Sequence, residues 1–175
     1  MDKENLMKEN PELTDIIEKH GWIPTILIAE DDPEMLDIIE TIFTRLTNYS
    51  VTTAWNGVEA MTLLEKESAV DLIIVDDNMH EMAGHEMTRE VRKLPDYSDV
   101  PIVMTGGAGG RESEESFYSE SKGSAYVYKP YELLPFMNLV NACLLNHFKL
   151  QTAKKENQHA VISGLMAERE QWRTY

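Results

Sequence analysis

The sequence is poor in cysteine and in basic residues, and each shortage excludes a class of protein. The 175 residues include one cysteine, Cys143, so no disulfide can form within the chain. Cys143 lies among apolar residues at helical spacing, which predicts a buried thiol. The chain has 16 basic and 31 acidic residues, a formal net charge of −15. Because such a surface repels phosphate backbones, we expect no nucleic acid among its partners.

Long apolar runs are also missing. Nowhere do about 18 apolar residues follow one another, so the sequence predicts no membrane-spanning helix. The first residues are polar and charged, and they lack the apolar core of a secretion signal. We therefore expect a cytoplasmic protein with no membrane among its partners.

Short apolar segments are present, and they alternate with helical patterns. The predicted strands are residues 25–29, 50–54, 71–75, 100–104 and 125–128. The predicted helices are one that begins at Pro33 and those at residues 57–64, 86–94, 112–121 and 133–148. The first and third strands are almost continuously apolar, which indicates burial on both faces. Five strands alternating with five helices predict an α/β fold, a doubly wound parallel sheet with helices on both faces.

The segments on either side of this pattern differ from it. Residues 1–23 are predicted to form an N-terminal helical appendage, because Pro11 suits a first helical turn and Gly21 suits a helix end. Residues 24–148 form the predicted domain. Residues 149–175 contain no proline and carry an imperfect apolar stripe, which favours a helical extension or linker over a frayed tail. We expect this extension to dimerise or to pass a signal to a downstream domain.

Polar residues stand at the carboxyl ends of four predicted strands. They are Glu30 and Asp31 after the first strand, Asp76 after the third, Thr105 after the fourth and Lys129 after the fifth. Ligands of parallel sheets bind outside the carboxyl ends of the strands, so we expect these side chains to meet. Clustered carboxylates repel one another and require a cation. Mg²⁺ prefers oxygen ligands, and the sequence therefore predicts a magnesium site.

These residues, in this order, resemble the receiver domains of two-component response regulators. The motifs that carry the resemblance are Ile26–Pro33, Asp71–Asp76, Met82-Ala83-Gly84, Thr105 and Lys129-Pro130. The resemblance covers residues 25–148. It implies a flavodoxin-like, five-stranded parallel sheet in the order 2-1-3-4-5. It also implies a phosphorylation-dependent signalling switch that slowly dephosphorylates itself, rather than an enzyme.

The resemblance implies a role for each acidic residue of the site. Asp76 would accept a phosphoryl group from a sensor histidine kinase or a histidine phosphotransfer protein. Asp31 and Asp76 would bind Mg²⁺ directly. Glu30 would bind it through a water molecule, and Asn78 would offer its backbone carbonyl.

The remaining roles concern the residues that bind the phosphoryl group and change position in response to it. By the same resemblance, Thr105 would donate a hydrogen bond to one phosphoryl oxygen, and Lys129 would pair with another. Tyr126 matches the aromatic switch residue three positions before the lysine, and it would swing inward as Thr105 moves.

The sequence departs from the receiver pattern in the loops. His80 stands where a proline usually follows the acceptor, which predicts a looser loop with a solvent-exposed histidine. The fourth strand is one residue shorter than usual, because Thr105 lies four residues after Pro101 where five is usual. The glycine-rich run Gly106–Gly110 then predicts a flexible loop. The Lys129-Pro130 bond is expected to be trans on base rates.

Other interpretations of the same residues remain open. A Mg²⁺-dependent phosphohydrolase would also form an aspartyl phosphate, but it would normally carry a carboxylate at position 78, where this chain has asparagine. A degenerate receiver could act only as a binding scaffold. Asp76 by itself could cap a turn, and Tyr126 could be a core residue. Asp32 is predicted to cap the helix that begins at Pro33.

Overall fold

A computed structural model describes residues 10–66, 69–107, 111–119 and 123–171. The helices are α1 (Pro11–His20), α2 (Pro33–Leu46), α3 (Gly57–Lys66), α4 (Gly84–Val91), α5 (Arg111–Ser119) and α6 (Leu133–Gln171), with a 3₁₀ turn at Pro95–Tyr97. The strands are β1 (Thr25–Ala29), β2 (Ser50–Ala54), β3 (Leu72–Asp76), β4 (Ile102–Gly107) and β5 (Ala125–Lys129). They form one parallel sheet in the order β2-β1-β3-β4-β5. The predicted fold class and strand order are confirmed.

The sheet separates two hydrophobic cores because successive side chains of a strand point to opposite faces. Leu27 and Ile73 belong to the core under α3, α4 and α5. Ile26 and Ile28 belong to the core under α1, α2 and α6. Every residue of the central strand β3 is buried, whereas the edge strand β2 is only partly buried. Burial on both faces explains the continuous apolar runs of β1 and β3.

Helix α1 packs on the domain through its apolar side. Leu13 is 2% exposed and lies in the core that α6 covers. The Asn10 amide donates a hydrogen bond to the side-chain oxygen of Asn138 at 3.1 Å. Gly21 ends the helix with a left-handed φ of 61°, as the sequence predicts.

Strand β4 is longer than predicted. It runs to Gly107 instead of ending at Met104, because Gly106 pairs with Tyr128 and Gly107 pairs with Lys129 on β5. The predicted flexible loop is therefore wrong for these two glycines, and residues 108–110 lie outside the described residues. A side chain at position 106 would not fit, since a Cβ there would lie 2.1 Å from the Tyr126 hydroxyl oxygen.

Helix α6 continues without interruption from Leu133 to Gln171. The predicted helical extension is confirmed as far as Gln171, and residues 172–175 lie outside the described residues. Cys143 packs partly buried against the core under α6, and burial raises the pKa of its thiol. Among the described helices, none combines the length and the apolar character that crossing a membrane requires.

Candidate functional site

Three carboxylates meet at the carboxyl edge of the sheet. Glu30, Asp31 and Asp76 each offer an oxygen atom, and these atoms lie within 4.8 Å of one another. They come together because β1 and β3 are neighbours, with Ala29 paired to Val75 just before the strands end. Glu30 and Asp76 are 2% and 7% exposed, so their repulsion is not relieved by water. The sequence prediction that these residues meet agrees with this geometry.

Lys129 provides the cation for two of the three carboxylates. Its Nζ lies 2.7 Å from Glu30 Oε2 and 2.7 Å from Asp76 Oδ1. Burial raises the pKa of Glu30, and the hydrogen bond from Lys129 only partly offsets it. Burial lowers the pKa of Lys129, but the bonds to Asp76 and Glu30 outweigh it and the net shift is upward. The Lys129–Pro130 peptide bond is cis, so the expectation of a trans bond is wrong.

Asp31 is held by His80 rather than by Lys129. Asp31 Oδ2 accepts a hydrogen bond from the His80 backbone N–H at 3.0 Å and lies 3.1 Å from His80 Nδ1. Burial raises the pKa of Asp31, but the two His80 contacts outweigh it and lower the net pKa. The imidazole is exposed, as predicted, but the expected looser loop is wrong, because these bonds join the loop after β3 to the end of β1.

Asp32 does not belong to the cluster. Its Oδ1 accepts hydrogen bonds from the backbone N–H groups of Glu34 at 2.9 Å and Met35 at 3.3 Å. The predicted cap of α2 is confirmed.

Thr105 stands beside strand β3, which ends at Asp76. It is paired with Asp76 in the parallel register of β3 and β4. Its hydroxyl oxygen is buried and has no hydrogen-bond partner among the described residues. A buried polar group without a partner is costly, so an unpaired hydroxyl here indicates a place where a ligand atom can be bound.

Asn78 and Asp77 follow Asp76 and contact the site in different ways. The Asn78 backbone N–H donates to Asp76 Oδ2 at 3.2 Å, which places this main chain beside the Asp76 carboxylate. Asp77 Oδ2 accepts a hydrogen bond from the Tyr126 hydroxyl at 3.1 Å. Tyr126 is 9% exposed, and burial together with the neighbouring Asp77 raises its pKa. Sequence reasoning did not assign Asp77 to the site, although its position directly after Asp76 indicated that it lies there.

The residues fit a divalent cation. Oxygen atoms bound to one Mg²⁺ lie at most about 4.2 Å apart, because each bond is about 2.1 Å long. The oxygen atoms of the cluster lie within 4.8 Å of one another, close to that value. Three carboxylates with one ammonium leave two negative charges unbalanced, which matches the charge of the ion.

The strand order and the acidic cluster at the carboxyl edge define a flavodoxin-like α/β domain with an acidic site. Comparison with known sequences makes this specific, since the sequence profile of the response regulator receiver domain matches residues 26–141. The chain belongs to the response regulator receiver domain family.

Individual relatives agree with this assignment. A chemotaxis protein CheY homologue of Campylobacter jejuni is 37% identical over 106 residues, which are 61% of this chain and 81% of that protein. The chemotaxis protein CheY1 of Helicobacter pylori is 30% identical over 106 residues, with 61% and 85% of the two chains covered. The chain is therefore a CheY-like receiver domain of the two-component type.

Solved structures share the fold. Vibrio cholerae CheY4 superposes with a TM-score of 0.61 at 25% identity and covers 69% of this chain and 97% of its own. The receiver domain of a Pseudomonas aeruginosa sensor histidine kinase superposes with a TM-score of 0.62 at 23% identity, covering 71% and 99%. That receiver was crystallised with a magnesium ion coordinated in its active-site cleft.

Proposed function

We propose that this chain is a phosphorylation-dependent signalling switch in which Asp76 accepts the phosphoryl group. The donor is a sensor histidine kinase or a histidine phosphotransfer protein. The observation that carries the proposal is the setting of Asp76. Its carboxylate is buried, bonded to Lys129, adjacent to two further carboxylates and paired in register with Thr105.

The transfer step needs little covalent chemistry from the protein. A carboxylate oxygen of Asp76 forms a bond to phosphorus, the phosphorus–nitrogen bond of the donor phosphohistidine breaks, and the leaving imidazole takes a proton. Lys129 keeps its charge beside the transferred oxygens and stabilises them. The unpaired Thr105 hydroxyl donates to another phosphoryl oxygen.

The acidic residues have separate tasks in this proposal. Asp31 and Asp76 would hold Mg²⁺ directly, Glu30 would reach it through a water molecule, and Asn78 would contribute its backbone carbonyl. The bound ion supplies the positive charge that lets a negative phosphoryl group approach a cluster of carboxylates.

The switch is proposed to run through Thr105, Tyr126 and Lys129. When Thr105 and Lys129 turn towards the phosphoryl oxygens, the contacts of β4 and β5 change on the side where Tyr126 is packed. Packed faces have discrete arrangements, so a small movement of Thr105 can be passed to Tyr126. Loss of the phosphoryl group by water attack then resets the chain slowly.

Mass spectrometry after incubation with acetyl phosphate and Mg²⁺ tests the acceptor. The wild type should gain one phosphate, and Asp76→Asn should gain none. Asp77→Asn is the matched control, since it changes the adjacent carboxylate, and it should still be phosphorylated. An adduct retained in Asp76→Asn would contradict the assignment of Asp76.

A second measurement separates the proposal from the two alternatives. Beryllofluoride should shift the NMR resonances of Thr105 and Tyr126 in the wild type. No adduct and no beryllofluoride response would favour a binding scaffold. Many turnovers on a phosphate monoester would favour a phosphohydrolase, against which Asn78 argues.

We further propose that residues 24–148 are the receiver unit, with residues 1–23 and 149–175 attached to it, and that the distal part of α6 pairs with a second copy. Helix α6 extends well past the sheet, and Leu150 on it is 60% exposed. Light scattering should give a dimer mass for the intact chain and a monomer mass for a 1–148 truncation. Equal monomer masses with and without phosphorylation would remove the dimer proposal.

A further inference from the structure

The carboxylates of the acidic cluster are held by two different partners. Lys129 bonds to Glu30 and Asp76 but not to Asp31. The Asp31 side chain accepts hydrogen bonds only from its own main chain and from His80, as far as the described residues show. His80 therefore sets the orientation of this carboxylate.

Both His80 contacts end on the same oxygen of Asp31. The backbone N–H donates to Oδ2 at 3.0 Å, and the imidazole Nδ1 lies 3.1 Å from the same atom, where it donates when it carries the proton. The other oxygen, Oδ1, takes neither contact. A carboxylate fixed through one oxygen loses its rotational freedom while the second oxygen stays available to a ligand.

The backbone contact depends on residue 80 not being proline. Proline has no N–H, so the residue usual at this position in receivers could not make it. Glu81 has a φ of 64°, and the Met82 N–H donates to the His80 carbonyl oxygen at 2.8 Å, which turns the chain sharply here. His80 itself contacts the end of β1 through its two bonds to Asp31.

We propose that His80 is a positioning residue for the metal site, which orients Asp31 for a divalent cation through its backbone N–H and its imidazole. The inference rests on the function proposed above and adds a residue that acts on the ion through Asp31. Groups that hydrogen-bond a metal ligand typically change metal affinity by about ten- to a hundredfold when removed. His80 is exposed, so the effect should fall at the low end of that range.

Three substitutions separate the two contacts. His80→Ala keeps the N–H and removes only the imidazole, so we expect Mg²⁺ to bind more weakly, but by less than the loss of about tenfold at the low end of that range. His80→Pro removes both donors, and we expect about tenfold weaker binding. His80→Asn restores a side-chain donor and should bind as the wild type does. His85→Ala is the matched control, because His85 is another exposed histidine that faces Asp77 and not Asp31.

Isothermal titration calorimetry with Mg²⁺, and with Mn²⁺ as a second probe, measures the affinity without phosphorylation. Unfolding temperatures in EDTA should stay within about 3 °C of the wild type for His80→Ala and His80→Asn, as is usual for exposed substitutions. Rescue by asparagine distinguishes positioning from a general structural effect. It also keeps the test valid if the proline variant folds poorly.

The outcomes are distinguishable. If the wild type shows no saturable Mg²⁺ binding, the proposed function fails. If the wild type binds Mg²⁺ and is phosphorylated on Asp76, but all three His80 variants bind within twofold of it, only the inference about His80 is overturned. Tighter binding by His80→Ala would overturn it as well, since the imidazole would then be competing with the ion for Asp31.

Discussion

At the scale of single residues, the unpaired hydroxyl of Thr105 should reduce the stability of the fold and is expected to bind a phosphoryl oxygen. Its hydroxyl is buried without a partner among the described residues, and such a group costs about 1–3 kcal/mol. We expect Thr105→Val to leave the free energy of unfolding unchanged or to raise it by up to about 1 kcal/mol, because valine has nearly the same shape. Beryllofluoride binding should weaken at the same time. Urea unfolding and beryllofluoride titration measure the two effects.

Thr88 provides the control for this substitution. It is 1% exposed like Thr105, but its hydroxyl donates to the Gly84 carbonyl oxygen at 2.8 Å. Thr88→Val should therefore lower the free energy of unfolding by about 0.5–1 kcal/mol. A loss of stability in Thr105→Val as large as in Thr88→Val would show that the Thr105 hydroxyl already has a partner.

The sequence predicted that the acidic residues and Lys129 belong to the site. It did not predict the contacts that His80, in the loop after β3, makes with Asp31. Residues that directly follow a strand are placed by the strand register, so Glu30 and Asp76 could be located from the pattern alone. The residue after His80, Glu81, has a left-handed conformation. A glutamate gives no signal for positive φ, so the sequence could not indicate this turn, and the loop was expected to be loose because His80 stands where a proline is usual.

At the scale of secondary structure, Gly106 controls the place of Tyr126. A Cβ at this position would lie 2.1 Å from the Tyr126 hydroxyl oxygen. We expect Gly106→Ala to push the ring outward and break its hydrogen bond to Asp77. Tyr126, which is 9% exposed, should then become accessible to nitration by tetranitromethane, with the modified tyrosine identified by peptide mapping.

Gly107→Ala is the matched control for the adjacent position on β4. A Cβ there would meet no atom of the described residues within 4 Å. Nitration of Tyr126 should remain as in the wild type. If Gly106→Ala also leaves the nitration unchanged, the ring does not depend on the space above Gly106.

His147 on α6 gives the fold a dependence on pH. Burial lowers its pKa below the usual 6.5, although Asp71 and Asp99 act in the opposite direction. The unfolded chain therefore binds a proton at a higher pH than the folded chain does. The stability from neutral His147 is present above about pH 6.5 and is lost as the pH falls through the folded-state pKa.

The measurement compares unfolding temperatures at pH 7.5 and pH 5.0. The wild type should lose more than His147→Gln, because glutamine stays neutral at both pH values. All other titrating groups are common to the two proteins. Equal losses would show that His147 does not contribute to the acid sensitivity.

The lengths of β4 and α6 show where pattern reasoning stops. The glycines at 106 and 107 have a poor intrinsic preference for strands, so the residue pattern offers no reason to extend β4 past Met104. Pairing with Tyr128 and Lys129 on β5 overrides that preference. The extension of α6 was predicted because proline is absent after Phe148. The absence of proline can be read from the segment itself, whereas the length of β4 depends on its pairing with β5.

At the scale of the whole molecule, α1 belongs to the fold and is not a loose appendage. Leu13 lies in the core beneath it at 2% exposure. We expect Leu13→Ala to lower the free energy of unfolding by about 2–3 kcal/mol. Leu150→Ala, at a position 60% exposed on α6, should change it by less than about 0.5 kcal/mol.

Urea unfolding, followed by circular dichroism and by tryptophan fluorescence, measures the free energies of unfolding of Leu13→Ala and Leu150→Ala. Coincident curves from the two probes would show that α1 and the sheet unfold together. A Leu13→Ala loss no larger than that of Leu150→Ala would show that α1 detaches at little cost. The sequence could indicate the bounds of α1 but not how α1 packs on the domain. That packing includes the bond from Asn10 to Asn138 and the ion pair of Lys149 Nζ with Glu12 Oε1 at 2.6 Å.

The length of α6 converts small rotations into large displacements. Residues 149–171 extend about 35 Å beyond Phe148 at the usual rise per residue. The N-terminal part of α6 packs through Phe136 and Met137 on the sheet that carries Lys129. The tip at Gln171 lies about 52 Å along the helix from Phe136, so a tilt of about 10° at Phe136 would move it by about 9 Å, and the helix would act as a lever arm that magnifies movements of the domain.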